Sequence, residues 1–200
     1  MPGKIHIIAH RVNTALELSR VPPGFGVEID LRDREHGIIL QHDPYMGGEL
    51  LEDFLAQYRH GTLILNVKSE RVEFKAIEIL QKFKIEDYFF LDSSFTMIHH
   101  FTLQQNKRFA LRFSEFESIE TCLAMAGKLD WIWVDSIEKL PLNTQVFTLL
   151  RNNGFKVCLA SPELLGRPHE ISQYREFLLG NGIIPDAVCT KLANAELWQH

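Results

Sequence analysis

Eight times along this chain a short apolar segment is followed by a stretch of helical character, and this rhythm limits the possible folds more than any other feature. The apolar segments fall at 4–10, 26–32, 62–68, 87–92, 109–114, 131–136, 156–161 and 186–191. The helix-like stretches fall at 14–20, 49–59, 71–84, 95–105, 117–127, 143–152, 169–179 and, briefly, 193–198. Alternation of this kind predicts a parallel sheet covered by helices. Eight units predict closure into a small (β/α)8 TIM barrel, an α/β fold with short loops. A doubly wound open sheet is the structural alternative, but it usually carries a Gly-rich phosphate turn after its first strand. Arg11-Val12-Asn13 is not such a turn. The segment GIILQHD (37–43) follows the second strand so closely that it reads as a short hairpin arm. Local signals agree with the elements. Asn13 or Thr14 can cap the first helix, Ser161 can cap a helix with Pro162 at its first position, and Gly154 can end the helix before it.

The 200 residues are enough for one good core, and a single domain over 1–200 is expected. A net charge of −5 leaves no basic footprint for nucleic acid or a membrane surface. No apolar run approaches the length of a membrane span. The opening MPGKIHIIAHR lacks a signal-peptide layout. Cys122, Cys158 and Cys189 are odd in number and have no metal spacing, as expected of structural thiols in a reducing cytoplasm.

The chemistry gathers at the ends of the first three strands. Catalytic groups of a parallel barrel lie on the face formed by the C-terminal strand ends. Side chains alternate along a strand, so Glu28 and Asp30 point one way while Val27, Ile29 and Leu31 point the other. Two neighbouring buried carboxylates repel and are desolvated. A hard divalent cation, Mg²⁺, Ca²⁺ or Mn²⁺, would resolve both costs. An exposed antiparallel strand with a polar face is the plainer reading of the same residues. His10 ends the first strand and His42 lies beyond the carboxylate strand, and two histidines flanking a metal suit general base and general acid. Asn66 can offer a neutral oxygen to the cation, and Lys68, on the same face, can neutralise a phosphate or pair with Glu28 or Asp30. Arg11 carries a forked donor suited to phosphate, or to a surface ion pair.

Later strand ends add Arg112 and Lys191 as further phosphate candidates. Asp135, Glu163 and Arg167 read singly as rim charges, and Trp133 as core. His6 shares the inward face of the first strand nearer the barrel floor and needs a hydrogen-bond partner there. His99-His100 reads as helix surface.

In order and spacing these residues resemble the glycerophosphodiester phosphodiesterase superfamily, within the phospholipase-C-like phosphodiesterase barrels. The matching pieces are His10-Arg11, Glu28-Ile29-Asp30, His42-Asp43 and Asn66-Val67-Lys68, and together they cover residues 10–68. The resemblance implies a one-metal phosphodiesterase. In it Glu28, Asp30 and position 66 would hold Mg²⁺ or Ca²⁺, His10 and His42 would act as base and acid, and Arg11 and Lys68 would hold phosphate. It also implies attack by a neighbouring substrate hydroxyl, giving a cyclic phosphate. Three departures stand out. Asn66 replaces the family's carboxylate. The family's Gly after His-Arg is Val12, with Asn13-Thr14 left of a longer motif. Only Pro44–Gly48 remain of the family's insertion after His-Asp. The compact form resembles the sphingomyelinase D-like branch in outline.

The leading expectation is therefore metal-dependent hydrolysis of a small or lipid-derived phosphodiester. A Schiff-base aldolase using Lys68 would leave both histidines and the carboxylate pair idle. A non-catalytic barrel that binds a phosphorylated ligand would suit Asn66 and the short loops.

Overall fold

The computed structural model describes residues 5–35 and 37–199. Its elements run β1 (His6–Ala9), α1 (Ala15–Leu18), β2 (Gly26–Arg34), β3 (Gly37–Leu40), β4 (Glu49–Leu50), α2 (Leu51–Gln57), β5 (Leu63–Val67), α3 (Val72–Lys82), β6 (Tyr88–Leu91), α4 (Phe95–Leu103), β7 (Ala110–Phe113), α5 (Ile119–Leu123), β8 (Trp131–Val134), α6 (Thr144–Asn152), β9 (Lys156–Ala160), α7 (Ile171–Gly180) and β10 (Ala187–Thr190). Short 3₁₀ turns occupy Pro162–Leu165, Pro168–Glu170 and Leu192–Trp198. Lys4, where the first strand was expected to begin, lies outside the described residues. So do Met1–Gly3, the start of the segment read for a leader, and His36.

Among the described residues, eight parallel strands form one curled sheet in the order β6-β5-β2-β1-β10-β9-β8-β7. The ends of this sheet come together at one point. Phe90 and Phe109 form a single parallel bridge, with the Phe90 N–H donating to the Arg108 carbonyl at 2.9 Å. The sheet is thus curled rather than open and doubly wound. β3 pairs antiparallel with the far half of β2, from Leu31 opposite Leu40 to Arg34 opposite Gly37, which makes the expected hairpin arm.

Strand alternation divides the apolar residues into two layers. Val27, Ile29, Leu31, Leu63, Leu65 and Ile132 belong to the larger cluster, shared with helix residues such as Phe54, Ala76 and Leu150. Ile8, Ile64, Phe89, Ala110, Trp131, Trp133, Cys158 and Cys189 form a second cluster inside the curl. There Phe89 and Trp131 stack at 4.6 Å between centroids, with small Ala110 on the strand between them. At the floor, Gly26 and Gly61 make room for the His6 ring: a Cβ on Gly61 would come within 2.7 Å of its Cε1. His6 Nε2 is buried with no hydrogen-bond partner among the described residues, and burial pushes this imidazole below its usual pKa.

Three local readings are corrected. The expected helix 49–59 opens instead on β4, where Leu50 and Glu49 pair with Ile39 and Leu40. The Glu49 carboxylate accepts the Ala15 N–H at 2.7 Å, tying this edge to the start of α1. Ser161 does not cap the turn after β9: its hydroxyl goes to the Glu163 carboxylate and accepts the Trp198 indole N–H at 2.9 Å. The closing segment 193–198 is 3₁₀ rather than α. Thr14 is the cap of α1, in a reciprocal capping box with Glu17, which leaves Asn13 for another role. Gly154 follows α6 at φ +83°, as a helix stop should. Among the described residues no helix is long and apolar enough to cross a membrane.

Candidate active site

Glu28 and Asp30 lie on the inward face of β2, each about 1 % exposed, with Ile64 and Asn66 of β5 beside them in register. Their side chains are held from several directions. The Arg11 N–H donates to Glu28 Oε2 at 2.7 Å, and Asn66 Nδ2 donates to Oε1 at 2.8 Å. Arg11 reaches this position through a left-handed backbone, φ +55°, that turns the chain sharply after β1. Asn13 clasps Asp30 twice. Its Nδ2 donates to Oδ2 at 2.8 Å, and its Oδ1 accepts the Asp30 N–H at 2.8 Å. Asn13 was expected as a possible cap and as what is left of the family's motif after His-Arg, with no role assigned toward Asp30.

His10, Arg11 and Lys68 complete the cluster. His10 Nε2 lies 3.8 Å from Glu28 Oε2, and its backbone N–H is fixed on the Thr190 carbonyl at 2.8 Å. Arg11 Nε is 3.7 Å from Asp30 Oδ2, and Lys68 Nζ is 3.6 Å from Asp30 Oδ1. The pairing roles weighed for Arg11 and Lys68 are therefore both present, in contact with the same carboxylate. His42 stands further out, half-exposed, with Nδ1 bonded to Asp43 Oδ1 at 2.8 Å. That bond holds the Asp43 carboxyl below its ordinary range. Beneath them Arg32 ties two strand ends together. It donates to the His42 carbonyl at 3.1 and 2.7 Å and to the Lys68 carbonyl at 3.0 Å. Arg32 therefore positions two of the expected site residues without carrying a motif of its own.

Arg112 is engaged elsewhere. Its guanidinium contacts Asp92, Asp135 and Glu117, and Trp133 donates its indole N–H to Asp135 at 3.1 Å. Asp92 also lies 3.5 Å from Lys68 Nζ, so a chain of charges runs Asp30–Lys68–Asp92–Arg112–Asp135 across the mouth. Arg112 thereby links three carboxylates at the rim of the mouth. Lys191 is exposed at the end of β10, and its backbone N–H donates to Glu163 at 3.0 Å. Glu163 is buried and also accepts from Ser161 and Thr190, which accounts for its charge locally. Arg167 bonds Glu170 at 2.9 Å, and its guanidinium also bonds the Ser136 carbonyl. His99 and His100 are exposed on α4.

The electrostatics follow from burial. Glu28 is pushed up to about 7 by desolvation and then by Asp30, against the opposing pull of Asn66, the Arg11 N–H and Lys68. His10 is pushed down to about 4 by desolvation and the adjoining Arg11, so its imidazole is neutral at pH 7 and able to accept a proton. Among the described residues two buried oxygens, Asp30 Oδ1 and Asn66 Oδ1, have no hydrogen-bond partner. Orphan oxygens beside paired carboxylates suit a hard cation. Among the described residues no three His, Cys, Asp or Glu gather as a metal cluster. A cation here would thus draw its third protein oxygen from Asn66.

Asn66 provides a direct test. Asn66→Asp removes the donor to Glu28 and adds a third buried negative charge. The expected result is a lower melting temperature without metal and a divalent-metal Kd at least about tenfold tighter, since charged oxygens bind hard cations better. Calorimetric titration of both proteins measures it, and equal affinities would remove Asn66 from the ligand set.

No family model matches the chain, and no curated protein matches it. Solved structures do. A protein described as a candidate glycerophosphoryl diester phosphodiesterase from Agrobacterium tumefaciens C58 superposes with a TM-score of 0.68 at 15% identity, covering 97% of this chain and 96% of that one. A glycerophosphodiester phosphodiesterase from the same strain gives 0.64 at 13% identity, covering 98% and 100%. A glycerophosphoryl diester phosphodiesterase from Parabacteroides distasonis ATCC 8503 gives 0.67 at 15% identity, covering 94% and 83%. This chain has the fold of the glycerophosphodiester phosphodiesterases. The fold is shared along nearly the whole chain, well beyond the stretch from His10 to Lys68 on which the sequence resemblance rests.

Proposed function

We propose that this protein is a phosphoric diester hydrolase, a metal-dependent phosphodiesterase acting on a glycerophosphodiester-like or lipid-derived substrate from the mouth of a (β/α)8 barrel. The observation that carries this reading is the buried cluster at the strand ends. Glu28, Asp30 and Asn66 converge there, two of their oxygens lack hydrogen-bond partners among the described residues, and His10 adjoins Glu28. The shared fold supports it.

In this reading Glu28, Asp30 and Asn66 hold one divalent cation, Mg²⁺, Ca²⁺ or Mn²⁺. When bound, the cation supplies positive charge to the phosphoryl oxygens. Arg11 and Lys68 orient the phosphate from the rim, with Lys191 as an outer contact. His10 takes the proton of the attacking hydroxyl as its oxygen bonds to phosphorus. His42, steadied by Asp43, gives a proton to the departing alkoxide as the second P–O bond breaks. Arg32 keeps His42 and Lys68 in register. The three cysteines are free and buried, which supports a reducing, cytoplasmic setting. The Schiff-base alternative leaves His10, Glu28, Asp30 and Asn66 without a task, although His10 and Asn66 both adjoin Glu28 and Asp30 shares its strand face.

A screen of phosphodiesters with Mg²⁺, Mn²⁺, Ca²⁺ or chelator tests the proposal. Metal-dependent hydrolysis that chelator abolishes is the expected result. Metal binding without hydrolysis of any diester would overturn it in favour of a phosphate-binding barrel, the reading that the neutral Asn66 supports.

A further inference from the structure

Where β6 and β7 meet, the sheet is held by the single Phe90–Phe109 bridge. Beyond it, toward the catalytic face, the strands leave a cleft of about 410 Å³ that opens between α4 and α5. That volume falls within the range of small-molecule sites. The cleft reaches the mouth through Asp92 and Arg112, which line it and belong to the charge chain ending on Asp30. One wall is apolar: Leu91, Phe95, Ile98 and Ala110. Phe95 is 49% exposed, although it sits beside the cleft rather than on a crowded helix face. Ser93 Oγ is buried here with no hydrogen-bond partner among the described residues. The facing wall, at and just before the start of α5, is polar: Ser118, Thr121 and Glu117, whose carboxylate lies 3.8 Å from the Arg112 guanidinium.

We propose that this cleft binds the alkyl or acyl arm of a lipid-derived phosphodiester whose phosphate sits at the Glu28–Asp30 mouth. The assignment rests on the phosphodiesterase reading only for the position of the phosphate. The apolar wall favours a hydrocarbon by removing it from water. The unpartnered Ser93 hydroxyl suits the oxygen at the root of such an arm. Arg112, held by three carboxylates, forms a fixed gatepost between mouth and cleft. A short polar alcohol would leave the apolar wall wet and gain nothing from it, so chain length is the property the cleft should select.

The test measures binding of methyl phosphate and octyl phosphate by calorimetry, to the full chain with millimolar Mg²⁺. Octyl phosphate is expected to bind roughly tenfold tighter or more, the effect of burying about two methylenes. Thr121→Trp and, separately, Ser118→Trp fill the cleft from exposed positions on or beside α5; Ser118 also caps that helix, so its variant is compared with Thr121→Trp, which leaves the cap in place. In each the octyl-to-methyl ratio should fall toward one. Equal affinities in the parent protein, or a ratio that both Trp variants leave intact, would overturn the assignment. Binding is read without turnover. A chain that shows this chain-length selection and hydrolyses no diester would therefore lose the phosphodiesterase reading and keep the cleft.

Discussion

Divalent metal should stabilise this protein more at pH 8 than at pH 5, and Glu28→Gln should erase most of that difference. Glu28 holds its proton to about pH 7 in the folded chain, above the ordinary carboxyl value of 4.5. Between those values the folded state carries a proton that the unfolded state has lost, so rising pH weakens the apo protein. A cation reverses the cost, because it binds the ionised pair, and at pH 5 it must first displace the proton. At a hundredfold excess over Kd the gain is about 2.7 kcal/mol, or roughly 5–10 °C for a chain of this size. His10 works in the opposite direction. Its lowered pKa costs stability as pH falls from 6.5 toward 4, so the comparison is made between parent and variant at each pH. Melts with and without Mg²⁺, Mn²⁺ and Ca²⁺ give the result. Asp30→Asn should lose the metal effect at both pH values and lower turnover by about a hundredfold or more. A metal shift that survives both substitutions would place the cation elsewhere.

Why these residues could be read in advance is a matter of periodicity. Glu28 and Asp30 interrupt an apolar strand at a spacing of two, and that spacing alone puts both on one face. Strand and helix alternate with regular periods, so the sheet was legible too. What escaped notice depends on where the chain turns. Asn13 clasps Asp30 only because Arg11 adopts a left-handed backbone, which a non-glycine residue does not advertise. Arg32 was invisible because its partners are backbone carbonyls, and any residue supplies those. β4 is two residues long and has no period to detect. The carboxylate partners of Arg112 could not be read either, because they come from just past β6, just past β8 and the β7–α5 loop, neighbours that the sheet order brings together.

His10→Ala and His42→Ala should each lower turnover by about 10² to 10⁴ while leaving the melting temperature close to the parent's, as expected for residues that move protons rather than support the core. The two side chains are held differently, and the difference gives the test its resolution. His10 is mostly buried against Glu28, and its neutral ring at pH 7 suits a base. His42 is half-exposed and oriented by Asp43, the geometry of an acid that must meet a leaving group and be recharged by solvent. Asp43→Asn should therefore reproduce part of the His42→Ala loss, roughly tenfold, through orientation alone. A substrate whose leaving group needs no proton, such as a nitrophenyl diester, should restore most of the rate to His42→Ala and none to His10→Ala. That crossover separates acid from base, and a uniform loss in both variants on both substrates would not. Full turnover in His42→Ala on an alkyl diester would remove it from the mechanism and leave protonation of the leaving group to water.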